Sequence, residues 1–204
     1  MSTATLLDIA MNHSEQIIDR AKLGDKGAFN KLVSLWHKRI YNFSLKYFND
    51  HDLATEATQK TFIKVFDHLG QLKEVEKFKS WIYVIALNQC REEDRKFSRM
   101  SKLFVSSDEV TETKHKEKHT TSPETDYVRT EMSNIVTQAI NELGEEQKTV
   151  LIMKEYEGLK FREIAEILSI SENTVKSRLY YGLSHLKKIL EQSRAFNESY
   201  HERK

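Results

Sequence analysis

Apolar residues along this chain recur three or four positions apart wherever they cluster, which is the spacing of one helix face and not the alternation of a strand. Ile17, Ile18 and Ala21 form the first stripe. Asn12 or Ser14 can cap it, Glu15 follows Asn12 as in a capping box, and Gly24 ends it. From Ala28 to about Phe48, the residues Phe29, Leu32, Val33, Trp36, Ile40, Phe43 and Tyr47 mark a long amphipathic helix, broken by Asn49 and Asp50. Leu53, Ala57, Thr61, Val65 and Leu69, widened by Phe62 and Phe66, give a third helix that stops at Gly70. A fourth runs from Phe78 through Trp81, Ile82, Ile85 and Ala86 to about Arg95. Four such faces need one another, so residues 12–97 predict one helical bundle.

After Phe97 the periodicity fails. Residues 98–124 are rich in serine, threonine, lysine and glutamate, hold the only proline, Pro123, and predict a flexible linker. A second domain is expected over residues 125–190, followed by a tail at 191–204. Its first helix carries Val128, Ile135, Val136, Ala139, Ile140 and Leu143 and is expected to end on a left-handed Gly144. The next spans Glu145 to about Glu157, before Gly158. Phe161 to Leu168, a tight Ser169-Ile170-Ser171 connection and Glu172 to about Leu190 then give helix-turn-helix spacing. The predicted fold is all-α, with two small helical domains.

Composition supports helices, since six glycines and one proline are too few for many hairpins. The formal net charge of +1 gives no global basic field, so any DNA contact depends on local placement of cations. Arg95, Lys96, Arg99 and Lys102 make one such patch, read either as a solvated helix end or as a phosphate-contacting arm. The lone Cys90 excludes an internal disulfide and reads as a small core residue in a reducing compartment. No apolar run suits a bilayer span, and Met1 to Met11 lacks the basic start of a signal peptide, so a cytoplasmic protein without membrane insertion is expected. His115 and His119 stand four apart but have no accompanying ligand set, and nothing resembles a phosphate loop or a triad. The expectation is therefore no metal, no cofactor and no catalytic site.

In the helix-turn-helix, Ala165 is small where the helices cross, and Ile164, Leu168, Ile170, Val175 and Leu179 fix their angle. Ser171 is a natural N-cap. The outward face of the second helix offers Asn173, Thr174, Lys176, Ser177, Arg178, Tyr180 and Tyr181. These are donors and long side chains of the kind that read base edges and phosphates. Glu172 is the only acid between Ser171 and Lys188, so the helix is locally cationic. On these residues alone, a repressor or activator with a sensing bundle, or a bundle that never touches DNA, are alternatives.

The run Glu163-Ile164-Ala165-Glu166-Ile167-Leu168 to Ser171-Glu172-Asn173-Thr174-Val175-Lys176-Ser177-Arg178-Leu179 resembles region four of bacterial RNA polymerase sigma factors. Leu143-Gly144-Glu145-Glu146-Gln147-Lys148 is similar to the Leu-Pro-x-x-x-Arg segment that precedes it in that family. In the first bundle, Gln59-Lys60-Thr61-Phe62-Ile63-Lys64-Val65-Phe66 resembles the polymerase-binding helix of region two. Phe78-Lys79-Ser80-Trp81-Ile82-Tyr83-Val84-Ile85-Ala86-Leu87-Asn88 resembles the segment that captures the melted promoter strand. The order of motifs and the short polar linker are those of the extracytoplasmic-function (ECF) subfamily.

The resemblance implies contact with core RNA polymerase through Glu56, Gln59, Lys60 and Ile63. It implies capture of the minus-ten strand by the 68–77 loop with Lys79, Asn88, Arg91 and Arg95. Trp81, four before Ile85 on an apolar face, is expected in the core rather than between bases. In the major groove of the minus-thirty-five element, Lys176, Ser177, Tyr180 and Tyr181 are expected to read bases, and Asn173, Thr174, Arg178 and Lys187 to hold phosphates. An anti-sigma protein is a further implied partner. Lys60 replaces the family's usual acid, Glu56 its usual aspartate, and Tyr181 and Leu183 its common arginines, which implies a tuned polymerase contact and an unusual promoter sequence.

Overall fold

The computed structural model describes residues 14–104 and 135–192, and within them every regular element is helical. Asn12, His115, His119 and most of the expected linker lie outside these residues. Helix α1 covers residues 14–22, and the chain reverses at Gly24, whose φ of +89° is left-handed. Asp25 caps α2 (Lys26–Phe48), its Oδ1 accepting from the Ala28 amide at 3.0 Å. Asn49 stops α2 in the left-handed conformation, and Asp50 caps α3 (His51–His68) by accepting from the Leu53 amide at 2.8 Å. The polar break in the sequence is thus a stop followed by a cap, and caps of this kind contribute about 1 kcal/mol each. Two 3-10 turns, Leu69–Gln71 and Val75–Lys77, lead into α4 (Phe78–Phe104).

The first core is built from Leu32, Ile40 and Phe43 of α2, Ala57 and Val65 of α3, and Phe78, Ile82, Tyr83, Leu87 and Cys90 of α4. Edge-to-face aromatic pairs join the helices, with ring centroids 5.6 Å apart for Phe43 and Tyr83 and 5.4 Å for Trp36 and Phe78. Trp81 is half-buried at the edge of the core, packed against it and tilted against Phe78. The buried stripe of α4 runs through Ile82, Tyr83, Ala86, Leu87 and Cys90.

The end of α4 departs from the expected stop near Arg95. Phe97, Met100 and Phe104 keep the three-to-four spacing of a helix although Phe97 and Met100 are exposed, and no glycine or proline follows before Pro123. Lys96 braces this region by pairing with Glu92 at 2.9 Å and Glu93 at 3.1 Å.

In the second domain, α5 (residues 135–141) is followed by α6 (Glu145–Leu151), a π-helical turn (Ile152–Tyr156), α7 (Phe161–Leu168) and α8 (Glu172–Gln192). Gly144 is not left-handed; with φ −57° and ψ 146° it is the extended N-cap of α6, starting a helix rather than stopping one. Through the π turn, four consecutive residues, Val150 to Met153, are all buried. They pack with Leu159, Ile164, Val175 and Leu179, and this apolar cluster is continuous with that of the first domain. The two domains touch, with α7 against α4 and the π turn against α2.

Candidate nucleic-acid interface

The helix-turn-helix is assembled by backbone devices at both ends of its turn. Ser169 takes the left-handed conformation at the end of α7, and Ser171 caps α8, its Oγ accepting from the Thr174 amide at 3.0 Å. Val175 and Leu179 fasten α8 inward, as the sequence pattern requires. Gly182 lets α8 approach α6 closely, since a Cβ there would lie 3.3 Å from Gln147 Cβ. Sequence reading missed this role; the signal is a buried glycine in the middle of a helix.

With the apolar stripe pinned, Asn173, Ser177, Tyr180 and Tyr181 stand outward, and the two tyrosines are 67% and 70% exposed. Thr174 is half-buried, its hydroxyl 2.8 Å from that of Ser171. Lys176 lies over the Phe161 ring, 5.7 Å from its centroid, and Lys154 lies over the same ring. Lys187 is well exposed and pairs loosely with Glu191. Arg178 differs from the others: its guanidinium donates to Glu146 at 2.6 Å and its side chain is 24% exposed, so it braces α8 against α6.

On α4, Asn88 and Arg95 are exposed and line an open groove with Gln89, Glu92, Lys96 and Arg99. The patch read from sequence is therefore partly a mixed-charge groove. Lys79 and Arg91 face the other domain, where Lys79 meets Glu163 at 2.9 Å and Arg91 meets Glu145 at 2.6 Å. Trp81 lies in a cleft with Leu72, Lys77, Ser80, Val84 and Glu166.

On α3, Glu56, Gln59, Ile63 and Phe66 share an exposed row at helical spacing. Ile63 and Phe66 are 51% and 59% exposed, although Phe66 was expected to widen the buried stripe. Phe62, Ile63, Val65 and Phe66 cover too much of the circumference for one core to take them all. Lys60 sits beside the row, donating to Glu56 at 2.6 Å and Glu93 at 2.7 Å. Its two acidic partners, Glu56 and Glu93, hold it well above the ordinary lysine range.

Comparison with known proteins follows this architecture. The family model described as Sigma-70 region 2 matches residues 32–99, and that described as Sigma-70, region 4 matches residues 133–186. The RNA polymerase sigma-H factor of Pseudomonas aeruginosa is 29% identical over 90% of this chain and 96% of the relative. The ECF RNA polymerase sigma factor SigW of Bacillus subtilis is 29% identical over 85% of this chain and 94% of its own. Among solved structures, CnrH in complex with the cytosolic domain of CnrY aligns with a TM-score of 0.66 at 18% identity, covering 88% of this chain and 99% of the other. The sigma factor RpoE in complex with the anti-sigma factor NepR, from Bartonella quintana, aligns at 0.62 and 19% identity, covering 81% and 98%. The chain belongs to the sigma-70 family of RNA polymerase sigma factors, and within it to the ECF group. Sigma factors are transcription initiation factors rather than enzymes. No helix among the described residues is long and apolar enough to cross a membrane.

Proposed function

We propose that this protein docks on core RNA polymerase through α3, captures the minus-ten strand with the 68–77 loop and α4, and reads the minus-thirty-five element with α8. The observation that carries this reading is the outward row of α8. Asn173, Ser177, Tyr180 and Tyr181 are exposed on a helix whose opposite side is locked into a helix-turn-helix core. Lys176 and Lys187 add cationic reach, whereas Arg178 is already answered by Glu146 and acts on DNA only by holding α8 in place. For the polymerase, the α3 row supplies two exposed apolar side chains beside Glu56 and Gln59, a patch suited to a protein partner. Lys60 contributes to it through the orientation of Glu56.

The two solved relatives were each captured with a partner, CnrY and the anti-sigma factor NepR. An anti-sigma protein is the corresponding partner proposed here. The docking claim is tested by co-purification of full-length protein with core polymerase. Ile63→Glu, at an exposed position, is expected to abolish retention without loss of helicity. Retention equal to wild type would remove α3 from the polymerase interface.

A further inference from the structure

Away from its core stripe, α8 sets its side chains in two neighbouring rows at helical spacing. Lys176, Tyr180, Leu183 and Lys187 form one, and Ser177, Tyr181, Ser184 and Lys188 the other. Both rows carry a tyrosine one turn in and end on a lysine. Tyr180, Tyr181 and Leu183 are exposed, whereas Val175 and Leu179 on the opposite side are buried. Between Lys176 and Lys187, Arg178 is the only lysine, arginine, aspartate or glutamate, and its guanidinium is taken by Glu146 at 2.6 Å. The middle of this face is therefore uncharged and largely apolar, with cations at its two ends. Apolar side chains gathered on a surface in this way mark a contact site.

Each base presents different groups in the major groove and asks for a different side chain. Guanine offers two acceptors that suit a guanidinium or ammonium group, cytosine an amino donor that suits a carboxylate, and adenine a pattern that suits an amide. Thymine alone presents a methyl group, which suits an apolar surface. Between the two lysines of the first row there is no carboxylate, no side-chain amide and no uncommitted guanidinium. The polar groups beside the tyrosines are the Ser177 and Ser184 hydroxyls and the His185 ring. We propose that Tyr180, Tyr181 and Leu183 recognise thymine methyl groups, so that the minus-thirty-five element carries thymines, on either strand, where it faces the middle of α8. This rests on the reading of α8 given under "Proposed function". A guanine–cytosine pair at those positions would lay polar base edges against ring and aliphatic surface, which costs desolvation with no compensating hydrogen bond. Cations at the two ends of the face supply the attraction to DNA that its middle lacks. Tyr181 and Leu183 stand where arginines are common in the family, so this preference belongs to this chain and not to the group at large.

The test uses the full chain assembled with core polymerase, on a duplex promoter selected by runoff transcription from a randomised library. Each thymine of its minus-thirty-five element is replaced in turn by deoxyuridine, which removes the ring methyl group and keeps every hydrogen-bonding group. Affinity is read by competition against the unsubstituted duplex. One or more thymines are expected to lose about two- to fourfold in affinity with the methyl group. That penalty should vanish in at least one of Tyr180→Ala, Tyr181→Ala and Leu183→Ala. The three side chains are exposed, so each variant should keep the circular dichroism of wild type. An element with no thymine on either strand, deoxyuridine tolerated at every position, or a penalty unchanged in all three variants overturns the proposal. The reading of α8 fails separately: scrambling the whole minus-thirty-five element must weaken binding. If scrambling changes nothing, α8 is not the reader, and the thymine proposal falls with that reading. If scrambling weakens binding and deoxyuridine does not, the thymine proposal alone falls.

Discussion

Lys60 Nζ lies 2.7 Å from Oε1 of Glu93, joining α3 to α4 through an acid whose side chain keeps only 5% of its surface. Lys96 approaches the same oxygen at 3.1 Å. The lysine that replaces the family's usual acid thus has a counter-charge on the neighbouring helix.

Glu93→Gln should therefore destabilise the first domain by about 1–3 kcal/mol, less than a wholly buried pair because Lys60 is partly exposed. Burial pushes the Glu93 carboxyl up, but Lys60 and Lys96 together hold it below the ordinary glutamate range. The stability it supplies is present above the unfolded value and is lost as pH falls through the lower folded value. Urea unfolding should show the variant's deficit near pH 7 and its shrinkage as the pH is lowered below the ordinary glutamate range.

Cys90 is buried beside Ser44, and burial pushes its thiol up to about 12. At pH 8 the thiolate is scarce and shielded, so a chromogenic disulfide reagent should label the native protein very slowly and the urea-unfolded protein at once. Rapid labelling of the native protein would place Cys90 outside the core.

Scaffold and reader on α8 should separate. Val175→Asp puts a carboxylate among Ile164, Leu179 and their neighbours, and is expected to cost about 3 kcal/mol or more and to unfold the second domain. Gly182→Leu should cost about 1–3 kcal/mol by forcing α8 off Gln147. Circular dichroism and urea midpoints check both.

Lys176→Ala should keep the fold and lower discrimination at one position of the minus-thirty-five element by about 1–3 kcal/mol. Arg178→Ala should instead lower stability by about 0.5–1 kcal/mol through loss of the Glu146 pair, leaving the salt dependence of DNA binding unchanged. Binding of the polymerase-bound form to promoter variants at several salt concentrations distinguishes these outcomes.

The helices and the helix-turn-helix were legible because their apolar faces are continuous and their stops are local. Asn49 with Asp50, Gly24 and Ser171 act through their own backbone and side chains. The end of α4 is easily placed too early, because its last apolar residues, Phe97, Met100 and Phe104, keep helical spacing but stand among polar residues that resemble a linker. Gly144 is ambiguous in sequence because a glycine between two helices can stop one or start the next, and only its backbone angles decide. The contacts of Lys79, Arg91 and Arg178 were hidden for another reason. A cation on an exposed face looks the same in sequence whether it meets a phosphate or a carboxylate far along the chain.

The most direct test of promoter-directed initiation is runoff transcription with purified core polymerase, with and without this protein, on a library of randomised minus-ten and minus-thirty-five sequences. The account predicts protein-dependent transcripts from a narrow subset sharing both elements, with Tyr180→Ala and Tyr181→Ala relaxing or shifting the minus-thirty-five preference alone. Protein-dependent transcripts from no member of the library, together with tight sequence-specific duplex binding by the isolated protein, would contradict it.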